Sequence, residues 1–193
     1  MTVEQDNRQV SVKVALTGAA DTGKLAVLHA IASRYGFATV RDHVVGSTSV
    51  HRVEWTEPDT LPDGRFLNVA IHSLTGHPSY NAAEELLVRS AAGIVFVADV
   101  DPAKFQATWD SLMRLSENTK RNGYNLRAVG VAIQYHRVDL HPGFDATEFD
   151  AKLGVPRGAI PRFISTSQQP DAEGLAFDSV MAQIKNRLPG LKV

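Results

Sequence analysis

The chain has 193 residues, 44% of them hydrophobic and 21% charged, a composition typical of globular proteins and a length that suits one domain. A formal net charge of -1 supplies no general basic field, so neither nucleic acid nor an acidic membrane surface is an expected partner. The absence of cysteine excludes a disulfide framework, Cys-based zinc sites and thiol catalysis.

The polar start MTVEQDNRQ lacks an apolar signal segment, and the most apolar stretch, residues 91–100, falls well short of the ~20 residues of a membrane span. No integral membrane segment and a cytoplasmic location are therefore expected. After a flexible N-terminus over residues 1–9, VSVKVALT (residues 10–17) reads as a buried strand. It runs through a glycine loop, residues 18–24, into the apolar-periodic helix LAVLHAIASRYG. Residues 37–49 are mixed and poorly periodic. VHRVEW and RFLNVAIHSL follow as an antiparallel pair across a turn-rich stretch holding Pro58, Pro62, Asp63 and Gly64.

A loop with Gly76 and Pro78 leads to the helix NAAEELLVRSA, and GIVFVADV (residues 93–100) is the most continuous apolar strand, expected at the sheet centre. A long helix over residues 103–122 ends at Gly123, and the strand VGVAIQY comes next. Then come a short helix over residues 147–153, a strand RFIST and a final helix over residues 174–188. Strands alternating with helices imply right-handed crossovers and a mostly parallel sheet covered on both faces.

Ligands of such sheets bind at the carboxyl ends of the strands. The first such loop, GAADTGKL, comprises Gly18, Ala19, Ala20, Asp21, Thr22, Gly23, Lys24 and Leu25. It satisfies G-x-x-x-x-G-K, in which backbone N–H groups and the helix N-terminus cradle phosphates while the lysine reaches the terminal ones. Three fixed residues recur by chance in roughly one chain of this length in 15, so the motif counts only because it lies between a hydrophobic strand and an amphipathic helix. Where the motif expects the Ser or Thr that ligates magnesium, the chain has Leu25.

The stretches IHSLTGHPSYNAAEELLVRSAAGIVFVADV and RNGYNLRAVGVAIQYHRVDL resemble MglA, the bacterial Ras-like small GTPase family of gliding motility and cell polarity. That family carries a P-G-Q switch loop, a GVVFVADS-like strand and an IQYNKRDL-like guanine motif. The likeness runs from Val12 to about Leu188. It implies an α/β P-loop three-layer sandwich: a mostly parallel six-stranded sheet with one antiparallel edge strand, helices on both faces, and residues 10–193 forming a single Ras-like G domain. It also implies GTP or GDP as ligand, a roadblock-fold regulator at the switch face, and a role in polarity, motility or related signalling.

Carried over residue by residue, the resemblance puts the family's catalytic glutamine at His77, after Gly76, and its N-K-x-D guanine reader at His136, Arg137, Val138 and Asp139. Asp139 keeps the carboxylate that selects guanine over adenine. Arg137 can stack on the base, and His136 replaces an amide that braces the phosphate loop. The arginine finger aligns with Arg52 and the metal-contacting threonine with Val53, with Ser47, Thr48 and Ser49 nearby as substitutes. Ser165 and Thr166 match the loop whose backbone meets the guanine oxygen, and Asp99 takes a supporting position at a strand end.

Set against these are plainer readings. His136, Asp139 and His141 share a loop without metal-site spacing, the leucine stripes are core, and His77 can be a solvent-exposed switch residue. Magnesium is possible, but its usual protein ligands are missing and no metal-holding residue can be named. Three functions stay open: a nucleotide switch with slow or absent hydrolysis, a pseudo-GTPase scaffold with little nucleotide binding, and a P-loop enzyme acting on another phosphorylated substrate.

Overall fold

A computed structural model describes residues 9–36, 40–45, 48–59, 61, 63–74, 81–156, 158–166 and 170–188. Among them, seven strands form one sheet: β1 (Gln9–Thr17), β2 (Arg41–Val45), β3 (Thr48–Thr56), β4 (Phe66–Leu74), β5 (Gly93–Asp99), β6 (Gly130–His136) and β7 (Arg162–Ile164). Their spatial order is β2-β3-β4-β1-β5-β6-β7. The pairs from β4 through β7 are parallel, and β3 runs against β4 and against β2.

The mostly parallel sheet is the expected one, with a seventh strand added at the antiparallel edge. That strand, β2, comes from the segment read as poorly periodic. An edge strand has only one partner and need not alternate cleanly. Gln9, expected in the flexible start, is the first residue of β1, where its side-chain oxygen accepts from Asn68 Nδ2 at 2.8 Å.

Helices cover both faces: α1 (Lys24–Arg34), α2 (Asn81–Val88), α3 (Phe105–Arg121), α4 (Ala146–Leu153), α5 (Pro170–Glu173) and α6 (Leu175–Lys185). One core layer joins Val12, Val14 and Leu16 of β1, Val53 of β3 and Val69 and Ile71 of β4 to α1 and α6. The other joins Ala15, Leu74, Phe96 and Tyr135 to α2, α3 and α4. β5 and β6 are buried at every position, as strands flanked on both sides and covered on both faces must be.

Three boundaries shift from the sequence reading. A 3-10 turn, Pro102–Lys104, precedes α3 and is capped by the Asp101 carboxylate. The final helix is α6, ending at Lys185, with the short α5 added ahead of it, and β7 ends two residues before Thr166.

The strand order places the site. The chain leaves β1, adds β4 on one side, then crosses to add β5 on the other, so the sheet changes winding direction at the carboxyl end of β1. That crevice is where doubly wound sheets bind ligands.

Candidate nucleotide-binding site

The glycine loop occupies this crevice in the geometry its residues require. Gly18 has φ 146 and Gly23 has φ 88, values that L side chains avoid. A Cβ at Gly18 would lie 2.2 Å from the Val97 carbonyl oxygen on β5. The loop thus passes close over the sheet, turns at Asp21 (φ 56) and enters α1 through Gly23 as its N-cap. Thr22 Oγ1 donates to the Ala19 carbonyl at 3.2 Å, an internal bond that holds the loop closed.

Lys24 is buried. Its ammonium donates to the Gly18 carbonyl at 3.0 Å and to that of Ala19. Burial pushes its pKa down to about 8, against the opposing pull of Glu84 and Asp21. Leu25, the next residue, is 42% exposed and faces the crevice with no lone pair.

A cavity of about 310 Å³ opens here, lined by the loop from Asp21 to Leu25 together with His51, Ser73, Leu74 and Arg137. Two of these, His51 and Ser73, were not singled out in the sequence. They are register partners across β3 and β4. Their position follows from the period-2 alternation of strands: Val53 and Ile71 lie in the α1-side core, so His51 and Ser73, two residues along each strand, share that face. Counting back from the core residues would have found them once the strand pairing was known.

The same alternation governs Arg52. It lies on the opposite face, in a groove with Lys13, Glu54, Asn68 and His72, and is ion-paired to Glu54. It is not among the residues lining the cavity at the glycine loop. Val53 is 1% exposed and belongs to the core. Ser49 shares the His51 face by parity. Gly76, His77 and Ser47 lie outside the described residues, and Thr48 opens the backbone of β3.

The residues aligned with the guanine motif gather around the other end of the loop. The His136 ring packs on Gly23, where a Cβ would approach it to 2.4 Å. Its Nδ1 lies 3.2 Å from Ser165 Oγ and 3.7 Å from a Glu173 oxygen. Burial first, then the charge of Arg137, holds the His136 pKa below its usual value, and burial raises that of Glu173. Both groups are thus moved toward their neutral forms.

Ser165 is fully buried and accepts a further hydrogen bond from Gln134 Nε2 at 2.9 Å. It ties the β6 and β7 loop ends together, with half-buried Thr166 following it. The imidazole therefore braces the loop by packing, where an amide would do so by hydrogen bonding.

Arg137 has φ 63, an uncommon conformation for a non-glycine residue. Its guanidinium lies 3.5 Å from Asp99. Asp99 is itself buried and accepts from Lys104 Nζ at 3.0 Å and from the Asp101 N–H at 3.1 Å. It thus joins the ends of β5 and β6, the supporting position expected for it. Asp139 sits half-buried in the following 3-10 turn, Val138–Leu140.

No group of three or more His, Cys, Asp or Glu that could hold a metal occurs among the described residues. No helix among them is long and apolar enough to cross a membrane.

The sheet order and the glycine loop at its switch point give the chain a Ras-like P-loop fold. No family model matches the chain. The chain is similar to the Mutual gliding-motility protein MglA of Myxococcus xanthus (strain DK1622): the two are 27% identical over 194 residues, spanning 98% of this chain and 97% of that protein.

Proposed function

We propose that the chain is a guanine-nucleotide-binding molecular switch with weak or absent hydrolysis, acting through protein partners in motility, polarity or related signalling in the cytoplasm. The observation that carries this reading is the loop itself, in which two positive-φ glycines bend the backbone over the end of β1 and feed it into α1. Successive N–H groups at a helix N-terminus suit a phosphate chain. Lys24 is the cation for its terminal part, and Gly18, Ala19, Ala20, Asp21, Thr22 and Gly23 are the cradle. His136, Arg137, Asp139, Ser165 and Thr166 form the base end. GTP or GDP is the ligand, and a roadblock-fold protein at the switch face is the regulator. His77 is the hydrolysis residue by resemblance, whereas Arg52, the residue aligned with the arginine finger, faces the other side of the sheet and pairs with Glu54.

A specific feature favours a second reading, a pseudo-GTPase scaffold. The Lys24 ammonium is turned onto the loop's own carbonyls, an arrangement that competes with phosphate. Chromatography or mass spectrometry of nucleotide released from freshly purified protein separates the two. Stoichiometric guanine nucleotide supports the switch, and its absence together with no binding of added GDP supports the scaffold.

Base choice tests the other end of the site. Guanine nucleotides should compete better than adenine nucleotides, and Asp139→Ala should erase the difference, because a carboxylate accepts from both guanine N1 and N2 donors. A parent protein without preference in competition binding would contradict the guanine-reader role.

Magnesium tests Leu25. The residues present do not make a magnesium site of the usual kind, since Leu25 offers no oxygen and Val53 is core. Magnesium should therefore strengthen nucleotide binding little, and Leu25→Thr should make affinity magnesium-dependent. Titrations with magnesium and with chelator check both.

A further inference from the structure

Asp42, His51 and Ser73 form one row across three adjacent strands, Asp42 pairing with His51 in the β2–β3 register and His51 with Ser73 in the β3–β4 register. His51 Nδ1 lies 2.6 Å from Asp42 Oδ1. A carboxylate only accepts, so Nδ1 carries a hydrogen and the ring orientation is fixed, leaving Nε2 for another partner. Ser73 is fully buried, and its hydroxyl finds no hydrogen-bond partner among the described residues. An unpaired buried hydroxyl is costly, which makes a polar ligand at that point the physical expectation.

Both residues line the cavity that also holds Lys24 and Leu25. The hydroxyl makes no hydrogen bond to the imidazole, so the row is not an activated serine nucleophile. The other charged groups of the cavity are Lys24, Arg137 and exposed Asp21. This set is cationic on balance and poor in the carboxylate oxygens that magnesium prefers.

Building on the nucleotide reading above, we propose that His51, oriented by Asp42 and assisted by the Ser73 hydroxyl, binds the terminal phosphate of a nucleoside triphosphate directly, where P-loop proteins place a loop-held magnesium. With Nδ1 donating to Asp42, Nε2 is the ring atom that donates to a phosphate oxygen, so the imidazole bridges the carboxylate and the phosphate. Ser73 donates its hydroxyl to the same phosphate. A diphosphate, being one phosphoryl group shorter, meets Lys24 and the loop but not His51. The pair therefore discriminates triphosphate from diphosphate without a metal.

The test is calorimetric binding of GDP and of a non-hydrolysable GTP analogue, in chelator and in magnesium, to the parent, His51→Gln, Asp42→Asn and Ser73→Ala. The parent should bind the triphosphate analogue in chelator about as well as in magnesium. His51→Gln should weaken triphosphate binding about tenfold or more while changing GDP binding less than about twofold. Asp42→Asn, at an exposed residue, should reproduce part of this loss, and Ser73→Ala should weaken the triphosphate alone. Unchanged GDP binding shows that each variant is folded. Triphosphate binding that is intact in both His51→Gln and Asp42→Asn, or tight in the parent only with magnesium, would overturn the role of His51 and leave the nucleotide reading standing. A parent that binds neither nucleotide would overturn both.

Discussion

Lys24→Ala should lower affinity for GDP and GTP at least tenfold, with circular dichroism unchanged. Ten-fold is about 1.4 kcal/mol, a small demand on a charge-assisted contact to phosphate. The same residue sets a pH dependence. With its pKa lowered to about 8 by burial, the free protein holds Lys24 protonated below that pH, and a bound polyphosphate raises the value again. Affinity should therefore be level up to about pH 8 and fall as pH rises beyond it, and the variant should show no such fall.

The stability linkage has the opposite sense. Between about pH 8 and the ordinary lysine value of 10.5, the unfolded chain binds a proton at this site that the native state does not, so the site's contribution to stability rises with pH across that window. Lys24→Met should remove this rise, because the burial cost of the ammonium disappears with it. Melting temperatures of parent and variant across the window, beside calorimetric affinities, check both signs. A variant that binds as the parent does would remove the phosphate-loop assignment.

Gly23→Ala should be among the most damaging single substitutions in the site, for two separable reasons. An L residue at φ 88 costs roughly 1–2 kcal/mol in the left-handed region. The new methyl would also meet the His136 ring at 2.4 Å, and overpacking of that kind costs about 1–3 kcal/mol more. The sum is about 2–5 kcal/mol, to be read from urea unfolding. In the Gly23→Ala background, His136→Ala should recover the overpacking part but not the backbone part. A double-mutant cycle should thus show coupling between two residues 113 positions apart in a chain whose numbering runs from the loop to the end of β6. Strict additivity would mean that the imidazole does not support the loop.

Much of the scaffold is legible in the one-dimensional pattern. The alternation of strands and helices, the all-apolar GIVFVAD strand and the glycine loop between a buried strand and an amphipathic helix are local properties, set by burial periodicity and by backbone conformations that only glycine tolerates. Local chemistry of this kind also singles out Lys24 and the missing hydroxyl at Leu25.

The tertiary structure alone decides which side chains share the crevice. Adjacent strand residues point to opposite faces, so one step along β3 separates His51, in the cavity at the glycine loop, from Arg52, on the far side of the sheet. Nothing in the letters HRV says which face is which until Val53 is seen in the core. The pairing of Asp42 with His51 and of His51 with Ser73 depends on the register of three strands, one of them an edge strand without a clear pattern. The packing of His136 on Gly23 likewise depends on the parallel placement of β5 between β1 and β6. Sequence periodicity thus determined the loop and the elements other than the edge strand β2, because each answers to its own neighbours in the chain. Strand register and face determined the site, because they answer to residues far away in it.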